Sequence, residues 1–276
     1  MTWTLSAFAY EISPDLDVQV ETLGRAGIKH LELRGAWGKN VLALSDAEID
    51  TVKATLGRQE IKVSAIGSPI GKIKITDEFD SHLAAFERAL HLARIFNAPF
   101  IRIFSFFMPH GEDPERYREQ VLERLHAIVR RAEGSDITLL HENEKEIYGD
   151  SPQRCLDILT QINSPVLRAA WDPANFVQCG VRPYADGYAA LRPFIKYIHV
   201  KDAVRATGEV VPAGQGDGEW LATLRALQDS GFDGFFSLEP HLQQAGPFAG
   251  FSGPALFGVA AEAFKSLLRE QHIAWC

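Results

Sequence analysis

Four side chains of the 276-residue chain announce chemistry by type and position: Glu142, Asp172, His199 and Glu239. Mostly apolar runs precede them: Leu139-Leu140-His141 before Glu142, Ala169-Ala170-Trp171 before Asp172, Tyr197-Ile198 before His199 and Phe236-Ser237-Leu238 before Glu239. Such runs read as buried strands, so each acid or imidazole is delivered at a strand's end. Bare charges held there are expensive. Three carboxylates and one imidazole converging would repel one another unless a cation neutralised them, and a hard or borderline divalent metal accepts that oxygen-plus-nitrogen set. The four are spaced 30, 27 and 40 residues apart, roughly one strand-plus-helix unit per step. Each has an ordinary reading as well. Asp172 before Pro173 would cap a helix, His199 would be a satisfied core histidine, and either glutamate would pair with an arginine. Four such coincidences at one register are a poorer account than one shared site.

The elements that must position these residues follow from periodicity. Strand-like runs are expected at Leu5–Ile12, His30–Gly35, Lys62–Ser68, Phe100–Phe106, Ile137–Glu144, Leu167–Phe176, Ile195–Asp202 and Gly234–His241. Amphipathic helical patterns lie between them, as at Glu78–Asn97 and Pro114–Ala132, with apolar positions three or four apart. Ser45-Asp46-Ala47-Glu48 and Ser151-Pro152-Gln153 carry helix-start signals. Eight units of about 34 residues each, with no linker or low-complexity tract, predict one domain over residues 1–276, a single (β/α)8 TIM barrel. An open doubly wound sheet would normally place a glycine-rich turn after its first strand, and Tyr10-Glu11-Ile12-Ser13 is not one.

Composition narrows the partners. Lys+Arg 28 against Asp+Glu 36 leaves a net charge of −8, which repels phosphate backbones and argues against nucleic acid. The three cysteines, Cys155, Cys179 and Cys276, form no finger or CxxC spacing, consistent with free thiols in a reducing compartment. The first ten residues carry no Lys or Arg, unlike a secretory signal. No apolar run approaches the ~18 residues of a membrane span. A cytoplasmic protein with no membrane partner is expected.

Several segments together resemble the xylose isomerase-like TIM barrels, specifically the sugar phosphate isomerase/epimerase family. They are Glu142-Asn143, Asp172-Pro173-Ala174-Asn175-Phe176, His199-Val200-Lys201-Asp202, the loop Gly214-Gln215-Gly216-Asp217-Gly218-Glu219-Trp220, and Gly231 through Glu239. The resemblance spans the chain, with its specific motifs in the second half. It implies that Glu142, Asp172, His199 and Glu239 bind one divalent ion, manganese, magnesium, cobalt or zinc. It also implies that Glu142 and Glu239 form the catalytic acid/base pair and that Arg205 lies near a substrate-contacting position. The expected partner is a small-molecule carbohydrate, and self-association into a homo-oligomer is compatible with the resemblance.

Such a site supports a definite mechanism. A metal on the substrate's carbonyl and neighbouring hydroxyl acidifies the adjacent C–H. One glutamate removes that proton and the other returns one through an enediolate, giving epimerisation or ketose–aldose interconversion. Lys201, two residues after His199, shares its strand face and is a candidate oxyanion partner, although a strand-end lysine more often reaches solvent. His241 shares the face of Glu239 and is a candidate for substrate contact or support of the metal. Arg34, with Glu32 and Trp37, would form the far wall, or pair internally with Glu32. Glu144 is the reserve ligand. His141 should face away from the site, because neighbouring strand residues point oppositely. Glycines 214, 216 and 218 would permit close backbone approach to a ligand.

The motif departs from many epimerases of the group at Asn175, where they place a histidine. An amide binds sugar hydroxyls but is no acid or base near neutrality. A metal-dependent dehydratase, of the inosose or dehydroshikimate type, is the alternative, since the same acid/base pair can eliminate water. An apurinic-site endonuclease fits worse, lacking the histidines of a three-zinc cluster and carrying net negative charge. A sugar-binding module without turnover is the non-enzymatic alternative.

Overall fold

The computed structural model describes residues 2–243 and 250–276. Its framework is eight strands: β1 (Thr2–Ala7), β2 (His30–Leu33), β3 (Lys62–Ile66), β4 (Phe100–Ile103), β5 (Thr138–Glu142), β6 (Leu167–Trp171), β7 (Ile195–Val200) and β8 (Phe235–Leu238). They are hydrogen-bonded in the order β1-β8-β7-β6-β5-β4-β3-β2, and every pairing is parallel. Because β2 also packs against β1, the sheet curls into the single α/β barrel expected from the eightfold rhythm. A short ninth strand, β9 (Ala274–Trp275), pairs with Thr2 and Trp3 at the start of β1.

Helices cover the outside, and local signals start them. Ser45 and Glu48 form a reciprocal capping box at the helix Asp46–Arg58, and the Ser151 hydroxyl accepts from Arg154 N ahead of Pro152–Ile162. Each leaves fewer orphaned amides at the helix start. The long pattern after strand β3 becomes the helix Asp80–Phe96, closed by Asn97 in the left-handed conformation. Its successor opens as a 3-10 turn at Pro114–Tyr117 and continues as Arg118–Ala132. Among the described residues no helix is long and apolar enough to cross a membrane.

Inside the barrel, small side chains leave room for a polar floor. Ala65, Leu140, Ala170 and Tyr197 pack there. Tyr197 Oη lies 2.8 Å from Ser64 Oγ, which lies 2.6 Å from Ser6 Oγ. The period of two along β7 then sets His199 above Tyr197, ring centroids 5.7 Å apart.

All eight strands end earlier than the apolar runs suggest, because the chain turns outward at the barrel mouth. β1 occupies Thr2–Ala7 rather than Leu5–Ile12, and Ala9–Glu11 coils into a 3-10 turn. Its first residues are held by the distant C-terminus, which local periodicity does not report. β6 stops at Trp171 because Asp172 caps the helix Pro173–Gln178. β7 stops at Val200, and Asp202–Ala203 instead pairs antiparallel with Val210–Val211.

The glycine-rich loop is also corrected. Gly214, Gly216 and Gly218 bring their backbone close to the carboxylate of Asp202, not to a ligand. Asp202 Oδ2 accepts from Gly214 N at 2.8 Å and Gly216 N at 3.1 Å, while Oδ1 accepts from Gly218 N and Ala203 N, both at 2.8 Å. A β-carbon on Gly216 would stand 2.4 Å from Ala203 O and 2.6 Å from Asp202 Oδ1, so only glycine fits. Asp202→Asn replaces one accepting oxygen with a donor and should cost about 1–3 kcal/mol for the amides left unpaired. Urea unfolding should register that loss with the denaturant slope preserved; an unshifted midpoint would mean the loop is held by other contacts.

Candidate metal centre

The barrel brings the four sequence-selected residues together. Glu142 is the last residue of β5, Asp172 follows β6, His199 is next to last in β7, and Glu239 follows β8. All four are buried, and one ligand atom from each lies within 4.8 Å of the others. His199 Nδ1 is 3.2 Å from Glu142 Oε1 and 3.4 Å from Glu239 Oε2. Asp172 Oδ2, His199 Nδ1 and Glu239 Oε2 are buried without a hydrogen bond. Their neighbours are one another, Glu142 and the Lys201 ammonium, and the three converge with the donor types a divalent ion takes. The residues fit a metal.

Asp172 serves in two ways, one per oxygen. Oδ1 accepts from Asn175 N at 2.9 Å and caps the short helix, while Oδ2 faces the cluster and lies 2.8 Å from Lys201 Nζ. The capping reading and the ligand reading therefore coexist. Asn143 fixes the backbone beneath: its amide donates to Asp172 O at 2.8 Å and accepts from Asp172 N at 2.9 Å. Asn175 is buried and directs Nδ2 to Glu142 Oε1 at 3.3 Å and to Asn143 O at 2.9 Å.

Three other groups surround the quartet. Glu32 Oε2 lies 3.2 Å from His199 Nε2, orienting the ring so that Nδ1 points inward. Arg102 Nη1 donates to Glu142 Oε2 at 3.1 Å. His241, in the left-handed region at φ 45°, places Nε2 3.2 Å from Glu239 Oε1 and 2.7 Å from Glu11 Oε1. Glu11 also fixes that turn by accepting from His241 N at 2.9 Å.

Crowding separates the proton affinities. Burial raises Glu142, but His199 and Arg102 beside it outweigh burial and hold it at about 2. Glu239 is likewise held well below the carboxylate range: burial pushes it up, and Lys201, His241 and His199 prevail. Asp172 goes up to about 6, burial prevailing over Lys201. Burial lowers His199, yet Glu142 and Glu32 more than reverse it, raising the ring well above its ordinary value. His241 rises to about 9, burial being overcome chiefly by Glu11.

The remaining candidates fall partly where expected and partly elsewhere. Lys201 does not reach solvent; it is buried between Asp172 and Glu239, 3.6 Å from Glu239 Oε2. Arg205 is exposed on the following loop, its guanidinium 3.4 Å from Val181 O and its backbone N bonded to Asp217 Oδ2. The hairpin at Asp202 turns it outward. Glu32 pairs with His199 and Arg102, where the sequence had offered Arg34. Arg34 is half-buried beside Gly67 and the Phe8 ring. Glu144 pairs with Lys72 at 3.3 Å instead of joining the quartet. His141 is buried and lies against Gly149, outside the ligand group. Arg102 and Glu11 are the residues around the cluster that sequence reasoning missed. An arginine inside the apolar strand Phe100-Ile101-Arg102-Ile103 was the available signal, since buried arginines are paired.

The xylose isomerase-like TIM barrel model matches residues 20–267. The chain belongs to this family. Solved structures share the fold along nearly the whole length. The probable 3-DHS dehydratase AsbF from Bacillus anthracis is 19% identical at TM-score 0.74, over 96% of this chain and 99% of that one. A D-tagatose 3-epimerase-like protein is 17% identical at TM-score 0.77, over 99% and 98%. The IOLI protein with a bound zinc atom is 15% identical at TM-score 0.76, over 98% and 99%. No curated protein matches the chain significantly.

Two outcomes follow from this geometry. A dication at His199 Nδ1 must displace the proton that the raised His199 holds near neutrality. Metal uptake should therefore release protons and tighten as pH rises; calorimetric heats identical in buffers of different ionisation enthalpy would contradict this. Glu32→Gln should weaken uptake about 10- to 100-fold through the loosened His199 ring, measured by Mn2+ titration.

Proposed function

We propose that this protein is a divalent-metal-dependent isomerase or epimerase of a sugar or sugar-like polyol ketone, moving a proton between carbons with Glu142 and Glu239. The observation that carries the reading is the convergence of Asp172 Oδ2, His199 Nδ1 and Glu239 Oε2, each buried without a hydrogen bond of its own, on Glu142 at the mouth of the barrel. An ion held by Glu142, Asp172, His199 and Glu239 would supply Lewis acidity, making the C–H beside a substrate carbonyl removable. Manganese, magnesium, cobalt and zinc all accept this donor set.

The chain's own residues do the rest. Glu142 and Glu239 are held ionised by neighbouring cations, so each has a vacant site for the substrate's proton and becomes a donor once it carries that proton. Lys201 and His241 stand beside Glu239 and offset negative charge developing on the substrate oxygen. A small opening beside Lys201 and His241 is lined by Glu144, Lys145, Asn175, Gln178 and Val210 as well, a mostly polar wall suited to hydroxyl groups. The net charge of −8 favours a small carbohydrate over a nucleic acid.

The test is incubation of the metal-loaded protein with ketoses, inososes and hydroxy-keto acids in deuterated water, followed by NMR. An isomerase or epimerase places deuterium in a substrate that keeps its water. A dehydratase loses water, and a binding module leaves the substrate unlabelled. Glu239→Gln should cut exchange about 10²- to 10⁴-fold with substrate affinity changed much less. Undiminished exchange would remove Glu239 from proton transfer.

A further inference from the structure

Arg102, the third residue of β4, is 5% exposed, a guanidinium inside the barrel mouth. Its carbon Cζ lies 4.7 Å from the Phe8 ring centroid and 4.9 Å from that of Phe104. Two aromatic rings so placed restrict where its donors can go. Nη1 meets Glu142 Oε2 at 3.1 Å and Glu239 Oε1 at 3.9 Å, and Nε lies 3.8 Å from Glu32 Oε1. Those three carboxylates come from β5, from the residue after β8, and from β2.

The oxygens are divided consistently. Glu142 Oε1 and Glu239 Oε2 face His199 Nδ1. Their other oxygens turn away from it: Glu142 Oε2 accepts from Arg102 at 3.1 Å, and Glu239 Oε1 lies 3.2 Å from His241 Nε2 with Arg102 Nη1 farther off at 3.9 Å. A permanent positive charge this close to a cation site opposes cation binding, so affinity alone does not account for it. A planar guanidinium fixed between rings does what a point charge does not: it holds carboxylates in one orientation.

We propose that Arg102 is a positioning residue that reserves one oxygen of Glu142 by a direct hydrogen bond and, through its charge beside the His241 contact, helps to reserve one of Glu239, so that each would offer a single oxygen to the metal and to proton transfer. The assignment rests on the proton-transfer reading above. Without the clamp, both carboxylates are free to chelate the ion through two oxygens, which binds it well and aims it badly.

The test compares wild type, Arg102→Met and Arg102→Lys by Mn2+ calorimetry, thermal midpoint and deuterium-exchange kinetics. Arg102→Met should bind Mn2+ at least as tightly as wild type while its kcat for exchange falls about 100-fold, the scale of a misplaced reacting group. KM should change little, and added guanidinium should restore part of the kcat. Arg102→Lys should stay slow without rescue, because it keeps the charge and loses the fork. Parallel loss of Mn2+ affinity, thermal midpoint and kcat without guanidinium rescue would overturn the clamp in favour of a structural arginine, as would wild-type kcat in either variant. If Arg102→Met does not fold, Arg102→Lys decides: full wild-type kcat overturns the proposal, and slow exchange with retained Mn2+ affinity supports it. A wild type that binds Mn2+ and exchanges no proton defeats the isomerase reading. In that case Mn2+ affinity judges the clamp separately: equal or tighter binding in Arg102→Met supports it, and weaker binding rejects it.

Discussion

The rest of the structure depends on a concentration of negative charge that water does not reach. Glu11, Glu32, Glu142, Asp172 and Glu239 are all buried at one end of the barrel. Taking each of these carboxylates out of water costs several kcal/mol before any partner is counted. Arg102, Lys201, His199 and His241 lie among them. The strand ends are the only places in such a fold where acids from several strands can meet on a rigid base. The fold's contribution to chemistry is this enforced crowding.

Crowding explains why the surrounding backbone is so fully committed. Asn143 uses both ends of its amide on Asp172. Asp172 splits its oxygens between a helix cap and the cluster. Glu11 holds a turn with one oxygen and His241 with the other. Asp202, next to Lys201, gathers four backbone amides and ties the loop behind it. Asp172 and Glu11 each do structural work with one oxygen and leave the other for the site. Substitution at such positions changes geometry and chemistry together.

This double use also decides what the sequence disclosed. The barrel was legible because each unit carries its own apolar period and turn residues, signals that act within ~10–20 residues. Glu142, Asp172, His199 and Glu239 were legible because a polar residue closing an apolar run stands at a strand's end, where a barrel gathers its chemistry. Pair partners were not. Glu32 meets His199 167 residues away, and His241 meets Glu11 across 230, distances over which spacing carries no information. Arg102 sat inside the apolar run Phe100-Ile101-Arg102-Ile103, which read simply as a strand. The loop glycines read as ligand-approaching because glycine reports close approach without naming what approaches. Arg205 and Lys201 exchanged places for a related reason. One short hairpin at Asp202 turns the first outward and leaves the second buried.

Charge balance bears on how many cations the site takes. Glu11, Glu239 and His241 form a second group with metal-compatible atoms within 4.8 Å, sharing Glu239 with the quartet. On that side Glu239 Oε1 already faces Arg102 at 3.9 Å, and the Glu11–His241 contact is 2.7 Å. Five buried carboxylates stand against Arg102, Lys201 and the His241 imidazolium, whose raised proton affinity keeps it charged near neutrality. One dication in the quartet, with His199 neutral, cancels the remainder. A second would leave the pocket with excess positive charge and take the imidazolium's place. The arrangement would therefore hold one ion more readily than two, with the Glu11–His241 ion pair beside it.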